Sequence, residues 1–356
     1  MQAGFVGLAQ SGKTTLFSAV SGQPYGQAAL AAASHERPPM AVVKVPDPRL
    51  AFLRKMENAP KITQATVDVL DLPSVGDELS DAQNRRAFAA MRDPDVLVHI
   101  VRAFESSAGK PADPAGDIEA FTAELLLGDQ MQVESRIERI EKALTKPNID
   151  HKALTEELAL QQRCLDCLNR ERPLTEAITK EAEAAVVRSF AFLTLRPLVR
   201  VINIDEGRIG DADTVAAAHA DRAAASLAVC GKIESELAEL DGDERAEFMV
   251  DLELTETAAE RLIRACYAAT DSITFLTSGP KEARAWPIKR GTHAVTAAGR
   301  IHTDLARGFI RAETVAYAHL FAAGDMKAAK AAGHVRLEGK EYVIQEGDVI
   351  LFRFNV

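Results

Sequence analysis

Eight residues near the N-terminus, Gly7-Leu8-Ala9-Gln10-Ser11-Gly12-Lys13-Thr14, constrain this chain more than any other stretch, because they complete the pattern G-x-x-x-x-G-K-[ST]. The glycines let the backbone curl so that successive N–H groups converge on a phosphate. Lys13 brings a compact positive charge to the β and γ phosphates, and the Thr14 hydroxyl suits Mg²⁺. The flanks agree. Ala3-Gly4-Phe5-Val6-Gly7-Leu8 reads as a short buried strand. Thr15 to Val20 continue as a helix whose N-terminal dipole faces the anion. Ala9, Gln10, Ser11, Gly12, Lys13, Thr14 and Thr15 are therefore the expected phosphate-binding residues.

With 356 residues the chain is long for one core, and two or three domains are expected. Its formal net charge of −10 argues against a whole-molecule grip on nucleic acid. Sequence-specific DNA binding is not expected, and any RNA contact must come from a local basic patch. No apolar run approaches the length of a membrane span, and the N-terminus enters a strand without a basic leader or cleavage site. The expectation is a cytoplasmic protein with no membrane partner. Cys164 and Cys167 form a C-x-x-C that lacks the βαβ context or second pair needed for redox or zinc chemistry. They read as two positions on a packed helix.

The N-terminal part alternates strands and helices, the mark of an α/β fold. Val67 to Leu72 reads as a strand ending in an acid, Ala82 to Met91 as a short helix, and Asp95 to Phe104 as a central buried strand. A long helix is expected from about Asp117, with Leu126, Val133, Ile137, Ile140 and Leu144 on one stripe. Lys146 to Asp150 break it, and Leu154, Leu158, Leu165 and Leu168 form a second stripe. Two such helices around a tight turn make either an antiparallel coiled-coil arm or a helical subdomain packed on the core. Pro197 to Asn203 and Ala225 to Val229 return to strand character, and Glu234 to Tyr267 is mostly helical. From Ser272 the pattern is β-rich, with Tyr342-Val343-Ile344 and Asp348 to Phe352 as strands around a Glu-Gly-Asp turn.

A phosphate-binding loop also needs an acid near the metal and a reader for the base. Asp71, at a strand end, is the expected metal-side acid, directly or through water. Asn203-Ile204-Asp205-Glu206 lies at another strand end, where nucleotides bind in open α/β sheets. Guanine-specific proteins carry N-K-x-D there. Here Ile204 replaces the lysine and the longer Glu206 replaces the carboxylate, which weakens the case for guanine. Gly231 and Lys232, after the next strand, are expected to cover the other side of the base. The expected base-binding set is Asn203, Ile204, Glu206, Gly231 and Lys232.

Several further stretches carry a family likeness: Val45-Pro46-Asp47-Pro48-Arg49-Leu50, the run from Lys232 to Asp241, Ser278 to Trp286, Ile301 to Asp304, Gly308 to Glu313 and Phe352 to Val356. With the phosphate loop and the N-x-x-E tetrad, they resemble the YchF type of the Obg-related P-loop NTPases over nearly the whole chain. The resemblance implies an α/β fold with a Ras-like P-loop G domain, an inserted α-helical coiled-coil arm and a C-terminal β-grasp (TGS) domain. The implied limits are 1–115 and 196–273 for the G domain, 116–195 for the arm and 274–356 for the TGS-like domain. Members resemble GTPases but generally prefer ATP, and they are linked to ribosomes, translation and stress responses. The resemblance thus implies ATP or GTP as ligand with Mg²⁺, and ribosome or RNA contact through the TGS domain and the arm.

The chain departs from the family at its switches. Where the family reads T-I-E-P-N, this chain has His35-Glu36-Arg37-Pro38-Pro39, without the Mg²⁺-sensing Thr. The second-switch D-x-x-G becomes Asp71-Leu72-Pro73-Ser74. Ser keeps the backbone N–H but restricts φ, and Pro73 stiffens the turn. The family's loop histidine is not seen in residues 105–114, and His99 reads as a satisfied core histidine. No Gln follows the switch to orient water. Slow hydrolysis is expected, with no confident catalytic residue; the alternatives are a nucleotide-sensing scaffold and a guanine-specific switch. Lys281, Arg284, Lys289, Arg290, Arg300, Arg307 and Arg311 form a local basic excess around Trp286. It suits RNA contact, or a solvated face with Trp286 in a small core.

Overall fold

The computed structural model describes residues 1–22, 38–76, 78–106, 109, 111–147, 150–221 and 223–355. The chain divides into two compact units: one comprises Gln2–Ala41 and Asp68–Leu262, the other Met1, Val42–Val67 and Ile263–Val356. The first strands along the chain are β1 (Gln2–Val6), β2 (Met40–Val45), β3 (Lys61–Thr63) and β4 (Ala65–Asp71). They are followed by β5 (Val96–Ala103), β6 (Leu198–Ile204) and β7 (Ala225–Val229).

In the first unit β4, β1, β5, β6 and β7 lie side by side, all parallel. Every residue of β5 is buried, as expected of a central strand covered on both faces. Helix α1 (Lys13–Ser21) follows β1. Next along the chain come α2 (Arg49–Glu57), a member of the second unit, and α3 (Asp81–Met91), which a Ser80–Gln83 capping box starts. Phe88 and Met91 of α3 bury against Leu72, Val75 and Leu97.

Helices α4 (Pro114–Leu144) and α5 (His151–Leu168) form the expected hairpin, capped by Asp113 and Asp150. Gln130 meets Asn169 and Arg136 meets Glu157, so the two run antiparallel. Val133, Leu160, Cys164 and Leu168 fill the interior, joined by Leu174 and Phe192. Leu154 and Leu158 of the expected stripe are only half buried. Cys164 and Cys167 are free thiols on α5, and burial pushes the Cys164 thiol up to about 11. That is a packed helix position rather than a reactive one. At the hairpin base the fully buried Asp129 accepts hydrogen bonds from Leu193 N–H (2.7 Å), Thr194 N–H (2.8 Å) and the Thr194 hydroxyl (2.9 Å), and pairs with Arg92 at 3.2 Å.

The second unit is a mixed sheet of β8 (Ser272–Ser278), β9 (Glu282–Lys289), β10 (Phe309–Ala316), β11 (Arg336–Glu338) and β12 (Asp348–Phe354), with β3 at one edge. Its order is β11-β10-β12-β8-β9-β3. One face packs Phe275, Ile288 and Phe352 on the helix Ala294–Ile301. The other packs Leu276, Ala285 and Val349 on Leu50 and Leu53 of α2. Residues 342–344 are not the expected strand: Val343 makes a single bridge to His293, while Ile344 drops into the core.

Candidate functional site

Strand β1 delivers the chain to Gly7, where φ is +150° and a Cβ would stand 2.5 Å from the Ile100 carbonyl oxygen. Gly12 caps α1 at φ +87°, and a Cβ there would stand 2.1 Å from Asn203 Nδ2. Both positions require glycine, for backbone conformation and for space. No side chain caps α1, so its first N–H groups stay available to an anion. Ala9 and Gln10 are exposed, Ser11 is buried, and Lys13, Thr14 and Thr15 are half-buried.

Strand β4 ends at Asp71, which is 4% exposed. The Thr14 hydroxyl donates to Asp71 Oδ2 at 2.8 Å. Lys13 Nζ lies 3.9 Å from Asp71 Oδ1 and donates to the Ser74 hydroxyl at 3.1 Å. Burial pushes the Lys13 ammonium down and the Asp71 carboxyl up, and the attraction between the two works against both shifts. Asp71 Oδ1 is buried without a hydrogen-bond partner. A hydroxyl and a spare carboxylate oxygen at one point are hard donors that fit Mg²⁺. Among the described residues no cluster of three or more His, Cys, Asp or Glu offers a different metal site.

At the other end of the loop, Asn203 is 4% exposed and holds two segments together. Its Nδ2 donates to the Ser11 carbonyl at 3.1 Å, and its Oδ1 accepts from Gly231 N–H at 3.0 Å. Glu206 and Lys232 are largely exposed and form an ion pair across the rim. Ile204 does not present a face to a base: it is 2% exposed and packs among Val101, Cys230 and Ile233. Gly231 begins the helix Gly231–Glu239 and is buried.

His35, Glu36 and Arg37 of the first-switch reading lie outside the described residues. Pro39 is described, and its carbonyl accepts from Asp71 N–H at 2.9 Å. The second-switch segment is anchored on both sides. Leu72 N–H donates to the Phe5 carbonyl at 3.1 Å. Asn84 of α3 brackets Gly76, accepting from its N–H at 3.2 Å and donating to its carbonyl at 3.1 Å. No local sequence signal marks Asn84, because its partner is set by the tertiary path of the loop. His99 is a core residue, 1% exposed and stacked 3.9 Å from Phe121. Burial, with Arg200 adding to it, holds its imidazole well below the usual range.

In the second unit the basic residues divide. Arg290 pairs with Asp271 at 2.8 Å and Arg307 with Asp304 at 2.9 Å, while Lys289 donates to the Thr270 carbonyl at 2.7 Å. Arg284 lies over the Trp286 ring at 3.9 Å. Trp286 packs against Phe275 and donates its Nε1 proton to the Thr277 hydroxyl. It therefore belongs to the rim of the small core.

A family model described as "YchF-GTPase_C: Protein of unknown function (DUF933)" matches residues 272–355. The chain is 37% identical to the "Ribosome-binding ATPase YchF" of Bacillus subtilis (strain 168), covering all of both chains. It is 35% identical to the protein of the same name from Escherichia coli O157:H7, covering 99% of each. The solved Schizosaccharomyces pombe YchF GTPase superimposes with a TM-score of 0.85 at 26% identity, covering 99% of this chain and 97% of that one. A GTP binding protein from Pyrococcus horikoshii OT3 matches at a TM-score of 0.62 and 16% identity over the full length of both, which shows the fold alone. No described helix is long and apolar enough to cross a membrane. The phosphate loop, the helical hairpin and the C-terminal sheet thus come in the order and over the length of these relatives, and the chain belongs to the YchF family.

Proposed function

We propose that the chain is a slow, Mg²⁺-dependent ATPase that works with the ribosome in the cytoplasm. One observation carries the reading: Lys13, Thr14 and Asp71 converge at the uncapped start of α1. The relatives from B. subtilis and E. coli are named ribosome-binding ATPases, in keeping with it. Lys13 and the N–H groups of residues 9–15 bind the phosphates, by charge and by backbone dipole. Mg²⁺, held by Thr14 Oγ1 and by Asp71 directly or through water, would neutralise charge on the phosphates. Glu206, Lys232 and the backbone at Gly231 form the rim for the base. Asn203 shapes that rim from below, and Ile204 anchors the strand end. The same reading keeps the limits 1–115 with 196–273, 116–195 and 274–356 as proposed domains. Residues 42–67 contribute to the packing of the last.

Slow turnover follows from positioning without a base: His99 is sealed in the core, and no Gln follows Asp71-Leu72-Pro73-Ser74 to orient water. The anchored second-switch segment also favours a second reading, a nucleotide-sensing scaffold that scarcely hydrolyses. A single-turnover assay separates the two. The main test is the affinity and turnover of ATP and GTP, each with and without ribosomes. Tighter ATP binding with slow turnover and retention on ribosomes supports the reading. Tighter GTP binding, or no retention at low salt, would sink it.

A further inference from the structure

We infer that Ser74 is a phosphate-contacting residue through which this site tells a triphosphate from a diphosphate. The inference rests on the ATP site proposed above and deepens it. The Ser74 hydroxyl accepts a hydrogen bond from Lys13 Nζ at 3.1 Å. Lys13 is the group that meets the β and γ phosphates. The hydroxyl is therefore one hydrogen bond away from the atom that reaches the terminal phosphate.

A serine that accepts from Lys13 still has its own proton to donate. A terminal phosphate oxygen drawn to Lys13 meets this second, neutral donor beside it. A diphosphate in the same cradle ends one phosphate earlier, and the hydroxyl then keeps only its Lys13 bond. The selectivity comes from the side-chain hydroxyl.

The segment around Ser74 is built to hold that hydroxyl still. Before it, Leu72 N–H is tied to the Phe5 carbonyl at 3.1 Å, and Pro73 fixes one φ. After it, Val75 is 1% exposed and packs with Phe88 and Met91. Asn84 then clamps both backbone groups of Gly76, at 3.2 and 3.1 Å. Ser74 sits between anchors one and two residues away on each side. A donor already in place loses little freedom when the phosphate arrives, so its contribution to affinity is kept.

The test titrates full-length wild type, Ser74→Ala, Ser74→Gly and Ser74→Thr with ADP and with a non-hydrolysable ATP analogue, both with Mg²⁺. Wild type should prefer the analogue. Ser74→Ala and Ser74→Gly should bind the analogue about tenfold more weakly, the scale of one hydrogen bond to a charged group. Both should bind ADP within about twofold of wild type. Ser74→Thr, which keeps the hydroxyl, should retain the preference. A Ser74→Ala protein with the wild-type ratio of affinities, or one whose ADP affinity falls in step, overturns the inference while leaving the ATP site standing. A wild type that binds neither ligand overturns the site itself, and the inference with it.

Discussion

Asn203→Ala separates two roles, bracing the phosphate loop and reading the base. The asparagine faces the base rim by position, yet both ends of its amide are bonded to protein: Nδ2 to the Ser11 carbonyl at 3.1 Å and Oδ1 to Gly231 N–H at 3.0 Å. Truncation removes two buried bonds, each contributing about 1 kcal/mol net, and strands a carbonyl and an N–H whose desolvation costs about 1–3 kcal/mol each unless water enters. The expected loss of unfolding free energy is about 2–6 kcal/mol, read from urea denaturation. The phosphate loop should loosen with it, because Ser11 and Gly12 lean on this side chain. Titration with ATP and with inorganic tripolyphosphate then decides the role. A brace predicts that both weaken by a similar factor. Unchanged stability and tripolyphosphate affinity, with a loss confined to ATP, would show that Asn203 reads the base and that bracing is incidental.

Other substitutions test the scaffold. Asp129→Ala should cost about 3–5 kcal/mol in chemical denaturation, since it leaves Arg92 and two N–H groups without their buried partner; a loss under about 1 kcal/mol would mean that water replaces the carboxylate. His99 makes stability depend on pH with a definite sign. Its folded pKa is depressed below 6.5, so the unfolded chain takes up the proton first. The stability is fully present above pH 6.5 and is lost as pH falls toward the folded value, by up to about 1.4 kcal/mol per pH unit. His99→Phe, which keeps a ring against Phe121, should flatten that slope, and an unchanged slope would assign it to other groups.

What the sequence displayed was local. The phosphate loop could be read because its glycines answer to backbone angles and its lysine to charge. Strand β7 was found residue for residue, because an apolar run between turns has few other fates. What it hid was set by distant partners. Lys61–Thr63 is short and half-exposed, and nothing in it points to β9, with which it pairs at Glu282 to Arg284. The bond from Lys13 to Ser74 and the clamp of Asn84 on Gly76 depend on the loop path and on no spacing rule. Tyr342 to Ile344 alternated like a strand, but Tyr342 was spent on a hydroxyl bond to Asp348, and only one bridge formed. Ile204 had the right position for a base contact, yet an apolar side chain at a sheet end goes inward when a core is there to take it.

The edge strand β3 has a consequence for how the molecule is made. Residues 49–63 leave the ribosome early, yet the strands that Leu50, Leu53 and β3 pack with, β8, β9, β10 and β12, lie in 272–354. The pairing of Lys61 with Glu282 closes a loop of some two hundred residues, a contact of the kind that slows folding. Because closure entropy grows only with the logarithm of loop length, the delay is kinetic and adds little to the equilibrium cost. During synthesis Leu50 and Leu53 have no home until the last quarter of the chain emerges. A chain cut before β8 would therefore lose more than its final unit: it would leave an apolar helix and an unpaired strand behind, open to association with other chains.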